Sequence, residues 1–298
     1  MMKTHKLCGL GTALVTPFNA KGDVDYESLA VLVERQIKGG ADYLVVLGTT
    51  GEAVTMTADE RVSVATFIAK QNAGRLPLVL GAGGNCTASV VEQLRRRKEW
   101  LQTHFAAILS VCPYYNKPSQ EGLYRHFSAI AEASPVPLIL YNVPGRTGVN
   151  MLPDTAIRIC KASPDKVAGV KEASGDMEQI GRLIDLSKAQ TDGNLLVISG
   201  DDGLAADVMA RGGSGLISVA SNAYPAAFRR IVHEVDKDLQ SKYEAFIKLL
   251  FKEGNPSGIK TVLHQMGLIH NSLRLPLVPN SQEVQEAIQT CLTQLPNE

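Results

Sequence analysis

Short runs of Val, Ile, Leu and small residues recur along this chain, separated by longer stretches of helical period. No other feature limits the fold as much. The runs are Gly9–Val15, Tyr43–Leu47, Pro77–Gly81, Ala106–Val111, Leu138–Asn142, Val167–Lys171, Leu195–Ser199 and Gly215–Val219, eight in all. A strand with one wet face alternates apolar and polar residues. Runs that stay apolar throughout suit strands covered on both sides, as in a parallel sheet. Between them, Leu29, Leu32, Val33 and Ile37 recur at spacings of three and four through Tyr26–Lys38, and Gly39-Gly40 offers the positive φ that ends a helix. Thr57-Ala58-Asp59-Glu60 has the form of a capping box that opens the next one.

Eight strand–helix units predict an α/β chain that closes into a (β/α)8 TIM barrel. A doubly wound sheet is disfavoured because no G-x-G-x-x-G follows the first strand. After Val219 only helical patterns follow, at Pro225–Asp238, Gln240–Phe251, Pro256–Leu268 and Gln282–Leu295. The expected organisation is a barrel over 1–224, then the last barrel helix and a C-terminal helical appendage over 225–298. The 298 residues, 45% hydrophobic and 20% charged, are enough for a large core. Thirty Lys and Arg balance 30 Asp and Glu, which leaves no electrostatic footprint for nucleic acid or an anionic membrane. No apolar run reaches the ~20 residues a spanning helix needs, and the opening residues make a poor signal peptide. Five scattered cysteines without a C-x-x-C pair predict reduced thiols and a cytoplasmic setting. The six histidines show no paired ligand spacing, so no metal site is expected.

In such a barrel the chemistry sits at the C-terminal ends of the strands. Lys171 ends an otherwise apolar strand. Burial there disfavours an ammonium and leaves a free amine able to attack a ketone and form a Schiff base. The competing reading is a lysine that snorkels to solvent or pairs with Glu172 or Asp201. Thr49 and Thr50, bracketed by Gly48 and Gly51, offer hydroxyls and amides to a small carboxylate, or form only a tight turn. Tyr141 and Tyr115 are either proton-shuttling phenols or ordinary core-edge tyrosines. Arg146, between Pro144-Gly145 and Gly148, is either a bidentate carboxylate clamp or a surface arginine. Asp201-Asp202 reads as a magnesium pair or an acidic helix start, and Arg95-Arg96-Arg97-Lys98 as a solvated helix face.

Taken together, Gly48–Glu52, Pro113–Pro118, Tyr141–Gly148, Gly169–Ala173 and Ser199–Asp202 resemble the pyruvate-dependent class I aldolase family, which includes N-acetylneuraminate lyase. The resemblance runs from about Gly9 to Pro279. It implies that Lys171 condenses with pyruvate, that Thr50 binds the pyruvate carboxylate, and that Tyr141, Thr49 and Tyr115 relay protons. It implies that Arg146 holds the carboxylate of L-aspartate 4-semialdehyde, and that Gly200 and Ile217 line the site with backbone carbonyls. The implied activity joins the two substrates in lysine and diaminopimelate biosynthesis. It needs no cofactor beyond the covalent pyruvate imine on Lys171.

The family's Tyr115 counterpart reaches into a neighbouring subunit, and the implied assembly is a homotetramer, a dimer of dimers. Sialic-acid lyases of the family usually carry serine at the Thr49 position and lack an arginine at that of Arg146. A sugar-acid lyase and a catalytically silent binding barrel are the alternatives. In lysine-inhibited members the regulatory pocket uses two histidines and a glutamate, where this chain has Ala58, Arg61 and Ser89 while retaining Asn85 and Tyr114. Without that carboxylate, and with Arg61 adding repulsion, weak or absent lysine inhibition is expected.

Overall fold

The computed structural model describes residues 7–296. The strands are β1 (Gly9–Ala13), β2 (Tyr43–Val46), β3 (Leu78–Gly81), β4 (Ala107–Val111), β5 (Leu138–Asn142), β6 (Val167–Glu172), β7 (Leu196–Ser199) and β8 (Gly215–Ser218). They form a closed barrel in sequence order, with parallel pairing. All eight sequence runs hold a strand, nearly every residue buried, as expected for strands covered on both faces.

The helices are α1 (Tyr26–Lys38), α2 (Ala58–Asn72), α3 (Thr87–Arg96), α4 (Lys98–His104), α5 (Gln120–Ala133), α6 (Pro144–Thr147), α7 (Pro153–Ala162), α8 (Met177–Gln190), α9 (Ala205–Arg211), α10 (Pro225–Glu234), α11 (Lys237–Lys242), α12 (Glu244–Phe251), α13 (Ser257–Gln265) and α14 (Gln282–Leu292). α1 begins where the Asp25 carboxylate accepts from the Ser28 amide, and Gly40 follows it with φ +79°. It buries Leu29, Leu32 and Val33, each contributing about 1.5–3 kcal/mol of apolar burial. α2 opens on the complete Thr57–Glu60 capping box. The helical pattern at Pro225–Asp238 stops at Glu234, because Val235 turns left-handed (φ +53°) and the Asp236 carboxylate caps α11 through the Leu239 amide. A local side-chain cap there outweighs a periodicity that would carry the helix on.

The chain divides into two compact units. One comprises Pro77–Ile217 with Leu7 and Cys8; the other comprises Gly9–Leu76 and the residues from Ser218 on. The first unit is nearly continuous in sequence. The second joins early and late segments. Within it Thr12 Oγ1 lies 2.8 Å from Ser221 Oγ, and Asn222 Nδ2 donates to the Ala13 carbonyl at 2.8 Å.

Candidate active site

In the first unit β6 is buried along its whole length, and the strand period of two sends Lys171 and Glu172 to opposite faces. Lys171 is 6% exposed, and its Nζ stands 4.4 Å from the centroid of the Tyr141 ring. The parallel register sets Tyr141 beside Lys171 across β5 and β6. Among the described residues no carboxylate forms an ion pair with Lys171, so neither Glu172 nor Asp201 is its partner. Glu172 instead accepts from Asn142, Ser174 and Gln179. Burial raises its carboxyl above the usual range against the pull of those donors. Asp201 caps the turn Asp202–Leu204 through the Gly203 amide, 2.8 Å away.

Gly200, just past β7, makes room for the lysine. A Cβ there would lie 3.0 Å from Lys171 Cε and 2.6 Å from Ala173 Cβ. Its own amide donates to the Glu172 carbonyl at 2.8 Å. Ile217 sits near the end of β8, 1% exposed.

Arg146 lies exposed on α6, whose first residue is Pro144. The Thr147 carbonyl on the same turn accepts from the Tyr115 amide at 3.3 Å, so the segments carrying Arg146 and Tyr115 are joined. Tyr115 itself has φ +73° and is 89% exposed. Asn85 Nδ2 donates to the Tyr114 carbonyl at 3.3 Å, and Asn116 Nδ2 to the Asn85 carbonyl at 3.0 Å. Ser89 is exposed on α3, where its hydrogen bonds hold the exposed Cys86 thiol below its usual range. The basic run Arg95–Lys98 spans the α3–α4 junction, with Arg96 paired to Glu92 at 2.5 Å.

In the second unit Thr49–Gly51 is a single tight helical turn after β2. The first amides of any helical turn have no partner inside it, which suits an anion. Thr49 is exposed. Thr50 is 2% exposed, and its hydroxyl accepts from Asn255 Nδ2 at 3.0 Å, keeping its own proton for an acceptor. Ala58 is exposed and Arg61 half-buried, both on α2.

Behind this turn lies a charge cluster that sequence reasoning missed. Glu52, left-handed at φ +53°, ends the turn and pairs with Lys260 of α13, both side chains fully buried. Burial pushes the Lys260 ammonium down to about 8 despite Glu52. It also donates to the Ser272 carbonyl at 3.0 Å and stands 4.1 Å from the Phe18 ring centroid. Arg274 covers the same ring at 4.4 Å and grips both oxygens of Glu60, at 2.9 and 2.6 Å. The one signal in the sequence was a lysine between Ile259 and Val262 on an apolar helix.

Comparison with known proteins supplies what geometry alone does not. The model of the dihydrodipicolinate synthetase family matches residues 6–295. The chain is 47% identical over 302 residues to the 4-hydroxy-tetrahydrodipicolinate synthase of Parabacteroides distasonis, covering 99% of each. It superposes with a TM-score of 0.93 and 39% identity on a monomeric dihydrodipicolinate synthase variant, covering 98% of each chain. The chloride-inhibited dihydrodipicolinate synthase of Acinetobacter baumannii, solved with pyruvate, gives a TM-score of 0.90 at 40% identity, covering 96% of this chain and 98% of that one.

Proposed function

The chain belongs to the dihydrodipicolinate synthetase family, and from that premise we propose how its residues carry the family's condensation. It is an aldolase-type enzyme that joins pyruvate to L-aspartate 4-semialdehyde, giving 4-hydroxy-tetrahydrodipicolinate for lysine and diaminopimelate biosynthesis. The observation that carries the mechanism is Lys171, buried at the end of β6, packed on Tyr141 and without a carboxylate partner among the described residues.

The Lys171 amine adds to the pyruvate ketone, and loss of water gives a protonated imine. The imine draws electrons from the methyl group, which loses a proton to become an enamine. The enamine carbon attacks the semialdehyde carbonyl. The substrate's amine then closes onto the imine carbon and expels Lys171. Tyr141, Thr49 and Tyr115 move the protons these steps exchange. Thr50 and the amides of its turn take the pyruvate carboxylate, while Arg146 takes that of the semialdehyde in a bidentate grip. Gly200 and Ile217 line the site. No metal or separate cofactor enters this scheme, because the imine is itself the electron sink.

Tyr115, 89% exposed, is suited to complete a neighbouring subunit's relay. The assembly we propose is therefore a homotetramer built from such dimers, working in the cytoplasm. Ala58, Arg61 and Ser89 give lysine no carboxylate, so lysine inhibits weakly or not at all. Inhibition of the pure enzyme at sub-millimolar lysine contradicts this.

Borohydride reduction in the presence of pyruvate, followed by peptide mapping, tests the mechanism. The expected result is a pyruvate adduct on the peptide containing Lys171. Folded protein that yields no adduct overturns the Schiff-base mechanism, and an adduct on another lysine overturns the assignment.

A further inference from the structure

The segment joining β5 to α7 carries Arg146 on α6, and both of its ends are tied to one polar cluster. At its start, the fully buried Asn142 donates from Nδ2 to Asn150 Oδ1 at 2.7 Å and to the two Glu172 oxygens at 3.1 and 3.0 Å. At its finish, the Met151 amide donates to Asn142 Oδ1 at 2.9 Å. Asn150 and Gln179 of α8 exchange two further bonds, at 2.8 and 3.1 Å. Gln179 Nε2 reaches Glu172 Oε2 at 3.2 Å, and the Ser174 amide reaches Glu172 Oε1 at 2.9 Å.

Glu172 therefore draws its donors from the side-chain amides of Asn142 and Gln179 and from Ser174, and among the described residues no cation pairs with it. Such a carboxylate holds its donors in place without offering any of them a proton. Asn142 is bonded to Asn150 and Met151, eight and nine residues on, so the segment is a closed loop with a fixed base. Within it, Gly148 bonds back to Pro144, and the Thr147 hydroxyl to the carbonyls of Val143 and Val149. The cluster fixes the backbone that carries Arg146.

We propose that Asn142, Asn150, Glu172 and Gln179 are positioning residues for the second substrate: they fix the base of the loop that presents Arg146. This rests on the assignment of Arg146 to the semialdehyde carboxylate. Holding the loop backbone beneath the guanidinium in place before binding removes part of the ordering cost that the semialdehyde would otherwise meet. The first substrate does not touch this loop in the proposed scheme.

The test is Asn150→Ala, alone and combined with Arg146→Ala, with Gln179→Ala as a second variant that leaves the strands intact. The KM for the semialdehyde is expected to rise about tenfold, the factor for one or two lost hydrogen bonds. The pyruvate KM and the rate of borohydride trapping are expected to stay within about twofold, a split that general loosening of the barrel does not produce. In the Arg146→Ala background, Asn150→Ala is expected to add less than about twofold. Equal losses for both substrates, no effect on the semialdehyde, or full additivity with Arg146→Ala overturns the positioning role. A semialdehyde KM unchanged by Arg146→Ala alone refutes the Arg146 assignment instead. Hydrogen exchange at 144–148 then decides whether the cluster holds the loop: faster exchange in Asn150→Ala sustains the restraint, and unaltered exchange overturns it.

Discussion

Lys171 depends on what its neighbours lack. Among the described residues no carboxylate holds it, and Gly200 has no side chain to occupy the space its methylenes fill. Gly200→Ala is expected to displace the amine, because the added Cβ would lie 2.6 Å from Ala173 Cβ and 3.0 Å from Lys171 Cε, and the lysine stem is the part that can move. Trapping by borohydride should slow at least tenfold, on the order of 1.4 kcal/mol of barrier, while Tm shifts by only a few degrees. Tyr141→Phe keeps the ring beneath the amine but removes the hydroxyl. It is expected to lower kcat roughly 10²-fold, the scale of a lost proton relay, with the pyruvate KM nearly unchanged; steady-state kinetics on both substrates check this. Lys171 was legible in the sequence because a lysine at the end of an apolar strand contradicts its surroundings. The sequence allowed a pairing with Glu172 or Asp201; the structure sets Glu172 aside, because adjacent strand residues point to opposite faces. What the sequence left open was where Glu172 goes: its donors arrive from β5, α8 and a loop.

The strands and most helices follow from local pattern, and the departures occur where a single residue overrides that pattern. Val235 in the left-handed region ends α10 early, and Tyr243 separates α11 from α12. The turn Thr49–Gly51 is the reverse case: its glycines announce it, but its anchoring by Lys260 and Asn255 belongs to residues some 200 positions later. No local signal encodes a partner that distant. Removing one half of the buried Glu52–Lys260 pair leaves a charge stranded in the core. Lys260→Met is therefore expected to cost about 3–5 kcal/mol in denaturant unfolding. The double variant Lys260→Met with Glu52→Gln should recover much of that loss, because the stranded charge is gone. A double variant as unstable as the single one counts against this account.

The second unit is held together by contacts between the two ends of the chain. Arg274 keeps the Glu60 carboxyl low, at about 2, chiefly through its own hydrogen bonds. A carboxyl depressed by folding adds stability that is fully present above its unfolded value near 4.5 and is lost as pH falls from there toward 2. Arg274→Ala should lower stability by on the order of 2 kcal/mol near neutral pH, and the gap from the parent should narrow below about pH 4. Thermal melts across that range check it; a gap that stays constant with pH assigns the loss to packing on Phe18. The same arrangement sets an order of assembly during translation. Pro77–Ile217 leaves the ribosome as one stretch. Thr50, made early, waits for Asn255 before its hydroxyl has a partner, and Glu52 waits for Lys260. The turn proposed for the pyruvate carboxylate is therefore finished last, so a nascent chain halted before Asn255 would carry Thr50 and Glu52 without the residues that anchor them.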